Sequence, residues 1–183
     1  MSLAFRDDEA ARRRLLWAMP TGLYVLGSAG SEAGPYNLMT HSLAVQAATE
    51  PCVLALAVDR TARTHELVGA SGRCSLSVLH RAQRAVVRRF VKPVERIEAD
   101  ASGRPMTMSG EPVGFTPSGV PYLSGAAGCL DLRVVERVEF ASHTLFCAQV
   151  VGVAVDGALL EGAASERTLD VLRMEDTKMN YGG

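Results

Sequence analysis

The side chains best suited to chemistry lie in two groups within the stretch from Asn37 to His65. The first group lies on or beside a predicted strand over residues 37–44 and consists of Asn37, Thr40, His41 and Ser42. The second follows a predicted strand over residues 52–58 and consists of Arg60, Thr61, Arg63, Thr64 and His65. Hydroxyl and main-chain groups of the first could bind the polar edge of a planar ring. The guanidinium groups of the second suit a phosphate, because each donates two parallel charge-assisted hydrogen bonds.

Both groups also have a plainer interpretation, which the residues alone leave open. Hydroxyl side chains such as Thr40 and Ser42 occur in ordinary strands, and the second group could be a solvated loop in which Thr64 caps a short helix. His143 lies in a turn between two later predicted strands. Its charge changes near neutral pH, so it could act as a proton donor, or it could be an exposed turn residue.

Other common kinds of site are not indicated. The chain has neither G-x-x-x-x-G-K-[ST] nor a G-x-G-x-x-G motif that opens a helix, so no P-loop or Rossmann nucleotide site is predicted. Cys52, Cys74, Cys129 and Cys147 are widely spaced in apolar runs, and the four histidines do not cluster with them. The sequence therefore predicts buried, reduced thiols and no metal site.

Length and charge limit the class of protein. A chain of 183 residues is expected to form a single domain over residues 1–183 with a substantial core. Its net charge of −1 gives no electrostatic reason to expect nucleic acid or a membrane surface as a partner. No apolar run approaches the roughly 18 residues that span a bilayer, and the first 20 residues contain no hydrophobic signal core, so a cytoplasmic protein is expected.

The apolar pattern predicts a mainly β fold. We expect seven or eight strands, no strict alternation of strands with helices, and therefore an antiparallel barrel or sandwich. The region after residue 128 predicts a long hairpin, with its turn at residues 140–143. Residues 92–119 are broken by four prolines and are expected to be irregular. Short helices are predicted over residues 6–19, 65–71, 81–91 and 165–174.

The order of several motifs resembles the flavin reductase family of FMN-binding split barrels. The matching blocks are PTGLYVLGS, GPYNLMTHS, TEPCVLALAV, RTARTHELVGASGRCSLSVL, GVPYLSGAAGCLDLRVVERVE and SHTLFCAQVVGV. The resemblance implies an antiparallel split β-barrel with a few short peripheral helices, and a homodimer that buries FMN, or sometimes FAD, near the subunit interface. It also implies that the two groups above, together with Met39, contact the flavin, and that His143 acts beside it.

The resemblance further implies an enzyme that transfers hydride from NAD(P)H to flavin. An acceptor such as free flavin for a partner monooxygenase would then be reduced. Two alternatives remain open: a non-enzymatic FMN carrier, and the same fold holding a deazaflavin or haem. One departure concerns the turn before Thr144, which reads Ala141-Ser142-His143 where such reductases commonly have Gly-Asp-His.

Overall fold

The computed structural model describes residues 8–31, 34–155, 157, 169–177 and 179. The strands are β1 (Tyr24–Ser31), β2 (Gly34–His41), β3 (Ala44–Thr49), β4 (Cys52–Asp59), β5 (Arg73–Val78), β6 (Ile97–Ala99), β7 (Pro105–Met108), β8 (Glu111–Phe115), β9 (Pro121–Leu123), β10 (Gly128–Glu139) and β11 (His143–Val155). The α-helices are α1 (Glu9–Trp17), α2 (Arg63–Ser71) and α3 (Arg84–Val87), and 3₁₀ turns cover Arg81–Gln83, Arg88–Phe90 and Met174–Asp176. The expected mainly β fold with few helices is confirmed.

The strands form two antiparallel sheets. The large sheet has seven strands in the order β2-β1-β5-β10-β11-β4-β3, and the small sheet has four in the order β6-β7-β8-β9. The edge strands β2 and β3 follow each other in the chain and are separated only by Ser42 and Leu43. The sheet must therefore curl until its two edges approach each other at this end. Among the described residues no pairing joins β2 to β3, so the sheet is not closed and the structure does not confirm the split barrel.

Two sequence-based boundaries were wrong near the predicted site. The strand expected over residues 37–44 ends at His41, and the predicted loop after it forms β3 before the turn at Glu50 and Pro51. The edge strand β3 is largely exposed, so the apolar alternation that marks a half-buried strand is absent from its sequence. Residues 92–119 are also not irregular, because they contain β6, β7 and β8.

The predicted helices differ in outcome. Helix α1 begins after Asp8, whose carboxylate accepts hydrogen bonds from two main-chain N–H groups, as an N-cap does. The helix expected over residues 81–91 is divided into α3 and two flanking 3₁₀ turns. Of the last predicted helix, over 165–174, residues 165–168 lie outside the described residues. Where it is described, Val171 pairs with His80 and Arg173 with Gly22, so that part is extended.

The core lies on both faces of the large sheet. One face packs Leu26, Cys74, Leu76 and Leu132 against Val68 of α2. The other face packs a second apolar cluster against the segment that contains α3, and this cluster includes Val25, Leu38, Leu79, Val87 and Phe90. Alternate residues of each strand therefore enter different layers, as the two-residue period of a strand requires.

The strand β1 and the small sheet approach each other closely at Gly27. A Cβ atom at Gly27 would overlap the carbonyl oxygen of Pro121 at the start of β9. Glycine is needed here because no other side chain would leave room for this contact between main chains. No helix of the described part of the chain is both long and apolar enough to cross a membrane.

Candidate functional site

The strand β2 divides the first predicted group between the two faces of the large sheet. Asn37 and Met39 point toward the layer that contains α2, whereas Thr40 lies on the side of α3. The hydroxyl of Thr40 donates a hydrogen bond to the carbonyl oxygen of Val87. The residues are adjacent in sequence, but the alternation of the strand places their side chains in different layers.

A buried side-chain hydrogen bond fixes α2 to β2. Asn37 Nδ2 donates to Thr64 Oγ1 over 2.9 Å, and both residues are buried. Thr64 is the second residue of α2 and is not its cap, so that prediction was wrong. Ala62 occupies the N-cap position and offers no side-chain acceptor. The first main-chain N–H groups of α2 thus lack the capping side chain that many helices have.

The loop before α2 is stabilised by hydrogen bonds to the carboxylate of Asp59. Asp59 Oδ1 accepts hydrogen bonds from the Thr61 main-chain N–H over 2.8 Å and from the Thr61 hydroxyl over 2.7 Å. These two bonds lower the pKa of Asp59, and the nearby charges of His143 and His65 act in the same direction. The loop is therefore shaped before any ligand arrives.

Two arginines flank the start of α2 at the surface. Arg60 lies 3.9 Å from Glu139, and Arg63 pairs with Glu66 one turn along the helix. Nearly half of each arginine side chain is exposed. Exposed ion pairs of this kind contribute little to stability, so either guanidinium can turn to an anion at small cost.

His41 is buried where the chain passes from β2 toward β3. Its Nε2 donates to the carbonyl oxygen of Leu43 over 3.1 Å, and the same oxygen accepts the Ala57 N–H over 3.0 Å. Burial lowers the pKa of His41 to about 4, and the charge of His143 adds to this effect. His41 is consequently neutral at physiological pH, and Ser42, the next residue, is also buried.

The other two histidines of this end lie on α2 and β11. His65 Nε2 is 2.8 Å from Thr144 Oγ1, and its ring packs against Phe146 with 5.5 Å between ring centroids. His143 is paired with Asp59 across β11 and β4, and its Nδ1 is 2.9 Å from Ser142 Oγ. The fold therefore brings the second predicted group, His41 and His143 to one end of the large sheet.

Three residues of this region were missed from the sequence. The D-x-T spacing of Asp59 and Thr61 is typical of a side-chain-stabilised turn and could have identified Asp59. Ser142 and Thr144 carry no comparable signal, because their contacts depend on the pairing of β11 with β4 and on the position of α2.

Two cavities of the described residues lie elsewhere. One, of about 270 Å³, is lined by β9, the start of β10 and the end of β11. The other, of about 290 Å³, lies between the end of α1 and the 3₁₀ turn that begins at Met174. Neither is lined by a residue of the predicted site, so the candidate site is not one of these two cavities.

This arrangement is an antiparallel β fold in which a helix start without a side-chain cap lies between two exposed arginines and close to three histidines. Residues 16–170 match the family model described as the flavin reductase like domain, so the chain belongs to the flavin reductase-like family. The sequence-based assignment to this family is confirmed.

Similar proteins carry consistent names. The chain is 28% identical over 167 residues to an NADH-dependent FAD reductase of Streptomyces globisporus, a match that covers 87% of this chain and 86% of that protein. It resembles the solved styrene monooxygenase flavin reductase of Pseudomonas putida S12 with a TM-score of 0.62 and 26% identity, over 80% of this chain and 86% of the other. A structure of the NADH:FAD oxidoreductase of Streptomyces globisporus C-1027, in complex with NAD and FAD fragments, matches in fold with a TM-score of 0.67 at 22% identity, over 86% of this chain and 88% of that chain.

Proposed function

We propose that this protein oxidises NADH and reduces a flavin that is bound at the start of α2. The observation that carries the proposal is the helix start without a side-chain cap, flanked by Arg60 and Arg63 and adjoining His143, in a chain of the flavin reductase-like family. Main-chain N–H groups at a helix start attract anions, and α2 has nine residues over which its dipole adds up.

The residues at the start of α2 fit flavin mononucleotide (FMN). One helix start with two arginines accounts for a single phosphate, which favours FMN over FAD as the bound form. Thr61 and His65 lie beside the same helix start, and Asn37 and Thr64 hold it against β2. The neighbouring strand end offers Met39, Thr40, His41 and Ser42 for the ring, mainly through main-chain groups, since the Thr40 hydroxyl is already bonded.

When bound, the flavin supplies the hydride-accepting chemistry. The chain's own contribution is to bind and orient. Arg60 and Arg63 balance the phosphate charge, and the neutral ring of His41 keeps the turn between β2 and β3 in place by its hydrogen bond to Leu43. His143 presents a ring nitrogen to the nicotinamide or to the flavin edge, and Asp59 lies opposite it across the strand pair.

We also propose that the whole chain forms one domain with a split-barrel fold, and that it acts as a homodimer. Exposed apolar side chains lie on β10, on β11 and in the turn between them, and they include Val135, Val138, Phe140, Val151 and Val153. An apolar surface of this kind is typical of a surface that another chain covers. A second copy is the occupant that the family resemblance implies.

The acceptor of the reduced flavin is proposed from the relatives. A similar solved protein is named as the flavin reductase of styrene monooxygenase. We propose that this chain likewise supplies reduced flavin to a monooxygenase component. The four free cysteines are consistent with a reducing compartment, which supports the proposed cytoplasmic location.

The test is an anaerobic absorbance spectrum of the protein with FMN, and separately with FAD, before and after addition of NADH and then NADPH. Flavin absorbance that bleaches within seconds of NADH addition is expected. Bound flavin that stays oxidised for minutes refutes the reductase and indicates a flavin carrier. A protein that retains neither FMN nor FAD, and whose spectrum is that of a bound deazaflavin or haem, refutes the proposed cofactor.

The phosphate site has a matched pair of variants. Arg63→Ala is expected to weaken FMN binding about tenfold or more, because a charge-assisted hydrogen bond is lost. Arg96→Ala removes another exposed ion pair, with Glu98, far along the chain, and is expected to leave FMN binding unchanged. Equal affinities of the two variants would contradict the placement of the phosphate.

A further inference from the structure

We propose that Ser142 is a positioning residue for His143, and that its hydroxyl makes His143 Nε2 a hydrogen-bond donor toward the bound substrates. The proposal deepens the proposed function and rests on it, since it assigns His143 a task in NADH oxidation. The contact that carries it is the 2.9 Å distance between Ser142 Oγ and His143 Nδ1.

The three histidines at this end of the sheet use different ring nitrogens. His41 bonds the Leu43 carbonyl oxygen through Nε2, and His65 bonds the Thr144 hydroxyl through Nε2. His143 is held at Nδ1 instead, and its Nε2 has no hydrogen-bond partner within the described part of the chain. Of these three rings, only that of His143 therefore has its Nε2 available for a ligand.

A hydroxyl group beside Nδ1 is compatible with a proton on His143 Nε2 in both charge states of the ring. When the ring is neutral, Ser142 can donate to Nδ1, which places the single ring proton on Nε2. When the ring is protonated, the same hydroxyl can turn and accept from Nδ1–H, and Nε2 still carries a proton. A donor at Nε2 suits the carboxamide oxygen of nicotinamide or a carbonyl oxygen of the flavin ring.

The surrounding charges support this role. Asp59 on β4 lies opposite His143 in the pairing of β4 with β11, so a carboxylate faces this ring. His65 on α2 is the other titratable ring near Asp59, and Arg60 and Glu139 face each other at the same edge. Burial keeps the pKa of His41 at about 4, so His41 adds no positive charge beside His143 at neutral pH.

The main chain of Ser142 has a separate task. Its carbonyl oxygen accepts the Arg60 N–H over 3.0 Å, which ties the turn before β11 to the loop before α2. The Phe140 N–H closes the same turn by donating to the His143 carbonyl oxygen over 2.8 Å. Neither bond uses the Ser142 side chain, so Ser142→Ala removes the hydroxyl and leaves these connections in place.

The experiment compares Ser142→Ala and Ser142→Thr with Ser102→Ala, whose hydroxyl bonds Asp100 in an exposed turn of the chain. For each variant we measure FMN affinity, and kcat and KM for NADH over a range of pH. We also record the nitrogen NMR signals of the His143 ring, which are identified by their absence from His143→Gln. Ser142→Ala is expected to bind FMN normally, to lose about tenfold in kcat/KM for NADH, as for one hydrogen bond, and to show a mixture of ring tautomers. Ser142→Thr restores both the rate and the single tautomer, and Ser102→Ala behaves as the native protein.

Two results overturn the proposal. The first is a native tautomer and native kinetics in Ser142→Ala, and the second is a rate loss that Ser142→Thr does not restore. The proposed function fails separately, if the native protein binds flavin but does not oxidise NADH. In that case the ring signals still decide whether Ser142 orients His143: a tautomer change in Ser142→Ala supports that contact, and an unchanged spectrum overturns it.

Discussion

Acidification from about pH 7 to about pH 4.5 is expected to destabilise this protein through one residue, His41. Burial lowers the pKa of His41 from 6.5 to about 4 in the folded chain, whereas the unfolded chain keeps the ordinary value. At pH values between about 4 and 6.5 the unfolded state binds more protons than the folded state, so the free energy of unfolding falls as the pH is lowered. Above about pH 6.5 the ring is neutral in both states and costs nothing.

The size of the effect follows from the same two values. A difference of about 2.5 pKa units corresponds to about 3 kcal/mol, at about 1.4 kcal/mol for each unit. The loss spreads over the window from about pH 6.5 to about pH 4 and is nearly complete at its lower end. For a domain whose total stability is about 5–15 kcal/mol, this is a large fraction.

Urea unfolding followed by far-ultraviolet circular dichroism measures this dependence in native protein, His41→Gln and His80→Gln. Glutamine is chosen because its amide nitrogen can occupy nearly the place of Nε2 and still donate to the Leu43 carbonyl oxygen. His41→Gln is expected to lose most of the slope between about pH 6.5 and about pH 4, while His80→Gln keeps it. Equal slopes in native protein and His41→Gln would refute the reasoning.

Two further predictions concern stability and thiol reactivity. Asn37→Ala leaves the buried Thr64 hydroxyl without its donor, so the free energy of unfolding in urea is expected to fall by about 1–3 kcal/mol. The conservative Thr64→Ser keeps a hydroxyl and should lose much less. Similar losses in both variants would argue against the Asn37–Thr64 hydrogen bond. Burial, aided by the charge of Asp131, raises the pKa of both Cys74 and Cys129 to about 12. In the native protein these two thiols should therefore resist a thiol reagent at about pH 8, while Cys52 and Cys147 react, and all four should react after unfolding. Rapid reaction of all four thiols in the native state would contradict this prediction.

Much of the fold could be predicted from local pattern. The long hairpin of β10 and β11 was predicted correctly, because two apolar runs joined by a polar turn have few other ways to pair. The strand β4 was also found, since its apolar run is nearly uninterrupted. The edge strand β3 and the short strands β6 to β8 were missed. Each depends on a neighbouring strand for its hydrogen bonds, β3 and β6 have no buried residue, and β7 and β8 are only four and five residues long.

The candidate site shows the same division. Its members on the loop before α2 could be predicted because arginines and hydroxyl residues follow an apolar strand and precede a helix. The position of His143 beside Asp59 could not, since they are more than 80 residues apart and meet only through the pairing of β11 with β4. Their pairing depends on the register of two strands, which the turn alone does not decide.

The sequence by itself determined the class of fold, the order of most strands along the chain, and the family, because these depend on periodicity and on the order of motifs. The tertiary structure decided which side chains share a face. It separated Thr40 from Asn37, made Thr64 a buried partner instead of a helix cap, and buried His41 deeply enough to keep it neutral. Burial and contact depend on residues that are distant in the chain, so no local pattern contains them.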